Sequence, residues 1–142
     1  MTGPRRQPMI EDTRLTFPFL VSVIDDDESV RAATSSLLRS LGWEVHLYPS
    51  AESFLESGHF DEVACIISDV QMPGMTGLQL QQRLRELGLA LPIIFITAFA
   101  SDAVRRQALD GGALCFLGKP VDGAVVSECL STLQRTFDPG AQ

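Results

Sequence analysis

Val63-Ala-Cys-Ile-Ile-Ser-Asp-Val-Gln-Met-Pro-Gly-Met-Thr-Gly77 is the stretch that decides how the chain is read. Its apolar run stops at Ser68 and a single carboxylate, Asp69, and a loop with Pro73, Gly74 and Gly77 then opens into a helical pattern. A short apolar run bounded by turn residues reads as a strand buried on both faces. In a parallel α/β sheet, ligands bind beyond the carboxyl ends of such strands. Asp69 therefore stands where chemistry is expected.

The same grammar repeats on either side. Residues 19–24 form an apolar strand that runs straight into Asp25-Asp26-Asp27-Glu28. Ser29 or one of the acids can cap the next helix, and acids near its N-terminus favour the helix dipole. A cap accounts for one or two acids, not four, and the mutual repulsion of the rest calls for a compensating charge. Val30, Ala33, Leu37, Leu38 and Leu41 fit one helical face, which Gly42 ends. Residues 43–48 alternate as a strand, and Ser50 caps a short helix ending at Gly58. After the strand at 63–68, a helix is expected from Gly77 to about Leu87. Residues 92–97 form a fourth strand ending in Thr97, followed by a helix from Ser101 to about Leu109. Residues 113–117 form a fifth strand ending at Gly118-Lys119-Pro120, and a last helix over 122–136 presents Val125, Val126, Cys129, Leu130 and Leu133. Five β/α alternations argue for an α/β fold, a parallel sheet covered by helices on both faces.

Composition narrows the class. The 142 residues suit one domain with a sizeable core. The net charge of −7 disfavours a domain that grips nucleic acid by its phosphates, and reads instead as charge for solubility. Cys65, Cys115 and Cys129 are odd in number, far apart and mostly in apolar runs, which reads as buried reduced thiols rather than a disulfide framework or metal site. Without a signal-peptide h-region or an 18-residue apolar run, a cytoplasmic location and no membrane contact are expected. Residues 1–17 read as a mobile extension, 18–137 as the folded domain and 138–142 as a tail.

The polar residues at strand ends converge. Asp25 and Asp26 come from strand one, Asp69 from strand three, Thr97 from strand four and Lys119 from strand five; in a parallel sheet all gather at one edge. The ordered motifs Val23-Ile24-Asp25-Asp26-Asp27, Asp69-x-x-Met72-Pro73-x-x-x-Gly77, Ile96-Thr97-Ala98 and Gly118-Lys119-Pro120 resemble the receiver domain of two-component response regulators. The segments Asp27-x-Ser29-Val30-Arg31 and Ser50-Ala51-Glu52-Ser53-Phe54-Leu55 resemble the FixJ-type receivers most closely. The resemblance covers residues 19 to about 137.

It implies a flavodoxin-like sheet in the order 2-1-3-4-5. It implies Asp69 as phosphoryl acceptor from a sensor histidine kinase, and Mg2+ held by Asp26, Asp69 and the Gln71 backbone carbonyl, with Asp25 acting through water. Lys119 would pair with Asp69 and then with the phosphoryl oxygens, beside a peptide bond to Pro120 that is commonly cis in this family. Thr97 would donate to another phosphoryl oxygen. Phosphorylation would draw the Thr97 hydroxyl inward and let Phe116 turn in behind it, remodelling the face of helix four, strand five and helix five. A phosphorylation-dependent homodimer through that face is expected by analogy. Gln71 and Phe99 occupy positions that tune phosphoryl lifetime, and their identities suggest a shielded site. The resemblance also implies intrinsic autophosphorylation and autodephosphorylation in a switch rather than a metabolic enzyme. The output partner, whether another protein or a DNA-binding domain, is not identified by these residues, and both a single-domain regulator and the receiver of a transcriptional regulator fit.

Phe116 as plain core packing and the acids as a structural ion network are the blander readings of those residues. His46 and His59 read as single surface or strand residues, Trp43 as packing, and Asp27 with Glu28 as a solvated helix start. Two rivals belong to other classes. A haloacid-dehalogenase-like phosphatase also uses a strand-end Asp with Mg2+, but carries a second Asp two residues later, where this chain has Gln71. A phosphorylation-independent protein-binding module of receiver fold would lack an acid, the Thr or the Lys, and all are present.

Overall fold

The computed structural model describes residues 20–137. Ten elements alternate in order: β1 (Leu20–Ile24), α1 (Glu28–Ser40), β2 (Glu44–Tyr48), α2 (Ala51–Ser57), β3 (Val63–Asp69), α3 (Gly77–Glu86), β4 (Ile93–Thr97), α4 (Asp102–Asp110), β5 (Cys115–Gly118) and α5 (Gly123–Phe137). The five strands are parallel, in the order β2-β1-β3-β4-β5. This is the sheet expected from the resemblance. The expected extension at 1–17 and tail at 138–142 lie outside the described residues.

Alternation along the strands divides the core into two layers. Leu20, Ile24, Ile66 and Phe95 face one side with Phe54 of α2, Leu80 and Leu84 of α3 and Ala108 of α4. Val21, Val23, Ile67, Ile94 and Ile96 face the other with Leu38 of α1 and Val126, Leu130 and Leu133 of α5. Because both faces are covered, β1, β3 and β4 are buried along their whole length, which is why they read as continuous apolar runs. Trp43 packs in the second layer, as a structural residue.

Helix ends follow local chemistry. Asp27 caps α1, accepting from the amides of Ser29 and Val30 at 2.8 and 3.2 Å. Ser50 and Ser53 form a reciprocal capping box on α2, and Gly58 closes it at φ +67°. Thr76 and Gln79 do the same for α3, and Ser101 caps α4.

Four expectations need correction. On α1, Leu38 is buried and Val30 and Leu37 pack against the core as expected, but Thr34 and Ser35 share the buried stripe while Ala33 and Leu41 are exposed. Small side chains let the helix lie close to the sheet, and Ser35 meets its hydrogen-bonding need by accepting from Arg39 Nε at 3.0 Å. On α5, Val125 points to solvent, one step round from the buried Val126. His46 on the edge strand β2 and His59 in the loop that leads into β3 are neighbours, their rings 6.4 Å apart. The fourth concerns the cysteines. Cys115 on β5 and Cys129 on α5 are joined by a disulfide, since α5 packs directly over the edge strand. Only Cys65 is a free thiol, and burial pushes it up to about 12, so it is inert.

The disulfide closes a loop 14 residues apart in sequence. Cross-linking a loop of that size stabilises a fold by about 3 kcal/mol on the chain-entropy account. Thiol titration of the air-oxidised, denatured chain is expected to find one reactive cysteine, and reduction should lower the denaturant midpoint. Three reactive thiols before reduction would contradict the pairing.

Candidate functional site

Strand register assembles the site. Ile24 of β1 lies opposite Ser68 of β3, which sets Asp25 beside Asp69 at the strand ends. Asp69 lies opposite Ile96 of β4, so Thr97 is one step beyond it. Thr97 in turn lies opposite Gly118, so Lys119 is the next residue out. Alternating apolar packing fixes each register, and a slip of one residue would turn every core side chain to the wrong face. The same hydrophobic pattern that builds the sheet therefore brings the four residues to one edge.

Asp25 is fully buried, Asp69 is 6% exposed, and Asp26 stands in solvent. One carboxylate oxygen from each of Asp25, Asp26 and Asp69 lies within 4.8 Å of the other two. Lys119 enters between two of them, with Nζ 3.0 Å from Asp25 Oδ2 and 3.3 Å from Asp69 Oδ2. The contact with Asp69 is a hydrogen bond. The contact with Asp25 is a buried ion pair, the shorter of the two. Asp25 Oδ1 accepts from the Asp27 amide at 2.9 Å, and Asp69 Oδ1 from the Gln71 amide at 3.3 Å. The peptide bond between Lys119 and Pro120 is cis.

Thr97 is buried, and its Oγ1 accepts from the Phe99 amide at 3.1 Å. A hydroxyl used as an acceptor keeps its proton for another partner. The Lys119 amide bonds the Thr97 carbonyl at 2.9 Å, tying the ends of β4 and β5 together. Phe116 is buried against the α4 side of the core, and its carbonyl accepts from Arg105 Nη1 at 3.5 Å. The side chain of Gln71 is exposed. Phe99 is 73% exposed, so in this conformation its ring does little to shield the site. Asp27 is spent as the α1 cap and Glu28 stands in the first turn of that helix, so only Asp25 and Asp26 of the acidic run join Asp69 in the cluster.

One participant was not singled out from sequence for a role. Arg31 of α1 donates from Nη1 to the Asp25 carbonyl at 2.6 Å, holding the backbone on which Asp25 hangs. A basic residue in the second turn of a helix that follows an acidic run is the signal that marks it.

Electrostatics follow from burial. Loss of water raises the Asp69 pKa, the charge of Asp25 raises it further, and Lys119 with the Gln71 amide pulls it back only in part. Burial alone would lower Lys119, but Asp25 and Asp69 together hold it above its usual value. The site is thus short of positive charge. A hard divalent cation with carboxylate ligands would supply it, and the three converging carboxylates of Asp25, Asp26 and Asp69 fit such an ion.

A carboxyl whose folded-state pKa is raised opposes folding once pH exceeds that raised value, and the penalty disappears as pH falls to the unfolded value near 3.8. Metal-free Asp69→Asn is therefore expected to be more stable than the parent at pH 7, with the advantage shrinking toward pH 4. Urea melts at the two pH values check this. An advantage that grows on acidification would contradict it.

Comparison with known proteins agrees with this geometry. The model of the response regulator receiver domain matches residues 21–131. Nodulation protein W of Bradyrhizobium diazoefficiens is 41% identical over 101 residues, covering 71% of this chain and 44% of its own. The transcriptional regulatory protein FixJ of Azorhizobium caulinodans is 37% identical over 123 residues, covering 86% of this chain and 58% of its own. The chain thus spans about half the length of these curated relatives. Among solved structures, the response regulator StyR superposes with a TM-score of 0.75 at 38% identity, over 81% of this chain and 59% of that one. The FixJ-N structure gives 0.73 at 29% identity, over 82% of this chain and 94% of that one. Family model, relatives and fold agree, and the chain belongs to the receiver domains of two-component response regulators.

Proposed function

We propose that the chain is a phosphorylation-activated switch in which Asp69 accepts a phosphoryl group from the phosphohistidine of a sensor histidine kinase. The observation that carries this reading is Lys119 Nζ, poised between the buried carboxylates of Asp25 and Asp69 at the edge of the sheet. An Asp69 carboxylate oxygen attacks the phosphorus in line, the P–O bond forms as the P–N bond breaks, and the imidazole leaves with the electron pair. Such transfer needs mostly positioning and charge stabilisation. Asp26, Asp69 and the Gln71 carbonyl would hold Mg2+, with Asp25 assisting, and when bound it neutralises charge on the phosphoryl oxygens. Lys119 shifts from Asp69 to one phosphoryl oxygen, and Thr97 offers its free hydroxyl proton to another. Water attack at phosphorus later breaks the Asp69 O–P bond, releasing inorganic phosphate and returning the carboxylate; autodephosphorylation, like autophosphorylation from small phosphoryl donors, belongs to the same site.

The readout is the face built by α4, β5 and α5. Movement of Thr97 toward the phosphoryl group would act on Phe116 and on the Arg105 contact to its carbonyl. The altered face is read by a partner protein, by an attached output domain or by a second copy of the chain. The location consistent with this chemistry is the cytoplasm. Relatives bearing the names of transcriptional regulators support an output in gene control, exercised beyond this domain rather than by its own contact with nucleic acid.

Intact mass after incubation with acetyl phosphate and Mg2+ tests the proposal. One added phosphoryl group is expected, lost with chelator and absent in Asp69→Asn. Lys119→Ala should slow the reaction by about 10²-fold, the scale for removing one preorganised electrostatic contact. No adduct on the parent chain would favour the phosphorylation-independent binding module. For the output face, light scattering with the beryllofluoride-loaded chain is expected to show a dimer where the free chain is a monomer.

A further inference from the structure

The loop between β3 and α3 carries the Gln71 carbonyl and begins at Asp69, so its backbone sets part of the proposed metal and phosphoryl geometry. Its two ends are held by backbone bonds. The Val70 amide bonds the Ile96 carbonyl at 3.1 Å, and the Gly77 amide returns to the Val70 carbonyl at 2.8 Å. The far arm is held differently. The Met75 amide donates to Glu52 Oε2, a carboxylate 23 residues earlier on α2, at 2.8 Å.

Both partners are shaped for this contact. A Cβ on Gly74 would fall 2.5 Å from Glu52 Oε2, and the residue sits at φ +75°, a conformation that glycine adopts without strain. Gly74 thus serves both the turn and the close approach of the carboxylate. The base of Glu52 is equally fixed. Its neighbour Ala51 is fully buried, as is Phe54, and the Ser50–Ser53 capping box sets the first turn of α2 on which it stands. A backbone amide held by a carboxylate is a charge-assisted hydrogen bond, roughly twice as strong as a neutral one.

We propose that Glu52 is a positioning residue for the phosphorylation site, fixing the β3–α3 loop through the Met75 amide so that Asp69 and the Gln71 carbonyl hold the geometry a divalent cation requires. The inference rests on the functional reading of Asp69 given above. Outer residues that orient ligands typically contribute about 10- to 100-fold to metal affinity. Glu52 would act without touching the metal or the phosphoryl group.

The test is an amide-resolved NMR titration of the full chain with Mg2+, for the parent, Glu52→Ala and Glu52→Gln. In the metal-free state Glu52→Ala is expected to speed exchange of the Met75 amide. Its Mg2+ affinity should fall by about 10-fold or more, while Glu52→Gln, which keeps a neutral acceptor oxygen and so a weaker anchor, should lose clearly less than Glu52→Ala. Parent-like Mg2+ affinity in Glu52→Ala would overturn the inference, even if the variant unfolds at lower temperature, because that is a structural role only. Equal weakening in both variants would also overturn it, since charge and not the amide anchor would then be responsible. Failure of the parent chain to bind Mg2+ would overturn the functional reading and this inference together.

Discussion

Two carboxylates taken out of water at the ends of adjacent strands repel one another, and the ammonium of Lys119 at 3.0 and 3.3 Å makes Asp25 and Asp69 tenable as neighbours. A buried ion pair is weak grounds for stability, because desolvation offsets much of the attraction, yet removing the single cation would leave two buried carboxylates uncompensated, at a cost of about 3–5 kcal/mol. The cluster is best understood as a requirement that the rest of the domain accommodates. Two apolar layers fix the register that brings the strand ends together, and Arg31 holds the Asp25 backbone. Asp27 is removed from the cluster by capping α1. Even so, Asp69 remains harder to ionise than a free carboxyl, so one lysine undercompensates the acids. The residual imbalance is what makes the edge receptive to a cation and then to a phosphoryl group.

Much of this was legible in the residues. Strands β1, β3 and β4 are unbroken apolar runs because both faces are covered, and polar punctuation at Asp25, Asp69 and Thr97 marks where each run leaves the core. Once the strands are parallel, the punctuation marks must meet. Two helix starts were legible for the same local reason, since Ser50 and Ser101 each accept from an amide three residues on.

What escaped reading depends on packing between distant segments. The rotation of α1 that buries Thr34 and Ser35 is set by how closely the helix sits on the sheet, which residue spacing does not encode. The Cys115–Cys129 bond arises because α5 folds back over the edge strand, and the proximity of His46 and His59 comes from a loop meeting β2. The Glu52–Met75 contact joins residues 23 apart, on a helix and a loop with no shared period. In each case the composition was visible and the partner was not.

The account stands or falls on where Lys119 and Thr97 go when Asp69 carries a phosphoryl group. A crystal structure of the chain with Mg2+ and beryllofluoride, a stable phosphoryl mimic, tests this most directly. The mimic is expected on an Asp69 oxygen, with Lys119 Nζ and Thr97 Oγ1 on its fluorines and the cation against Asp26, Asp69 and the Gln71 carbonyl. Lys119 still lodged between Asp25 and Asp69, with the mimic absent or bound elsewhere, would contradict it.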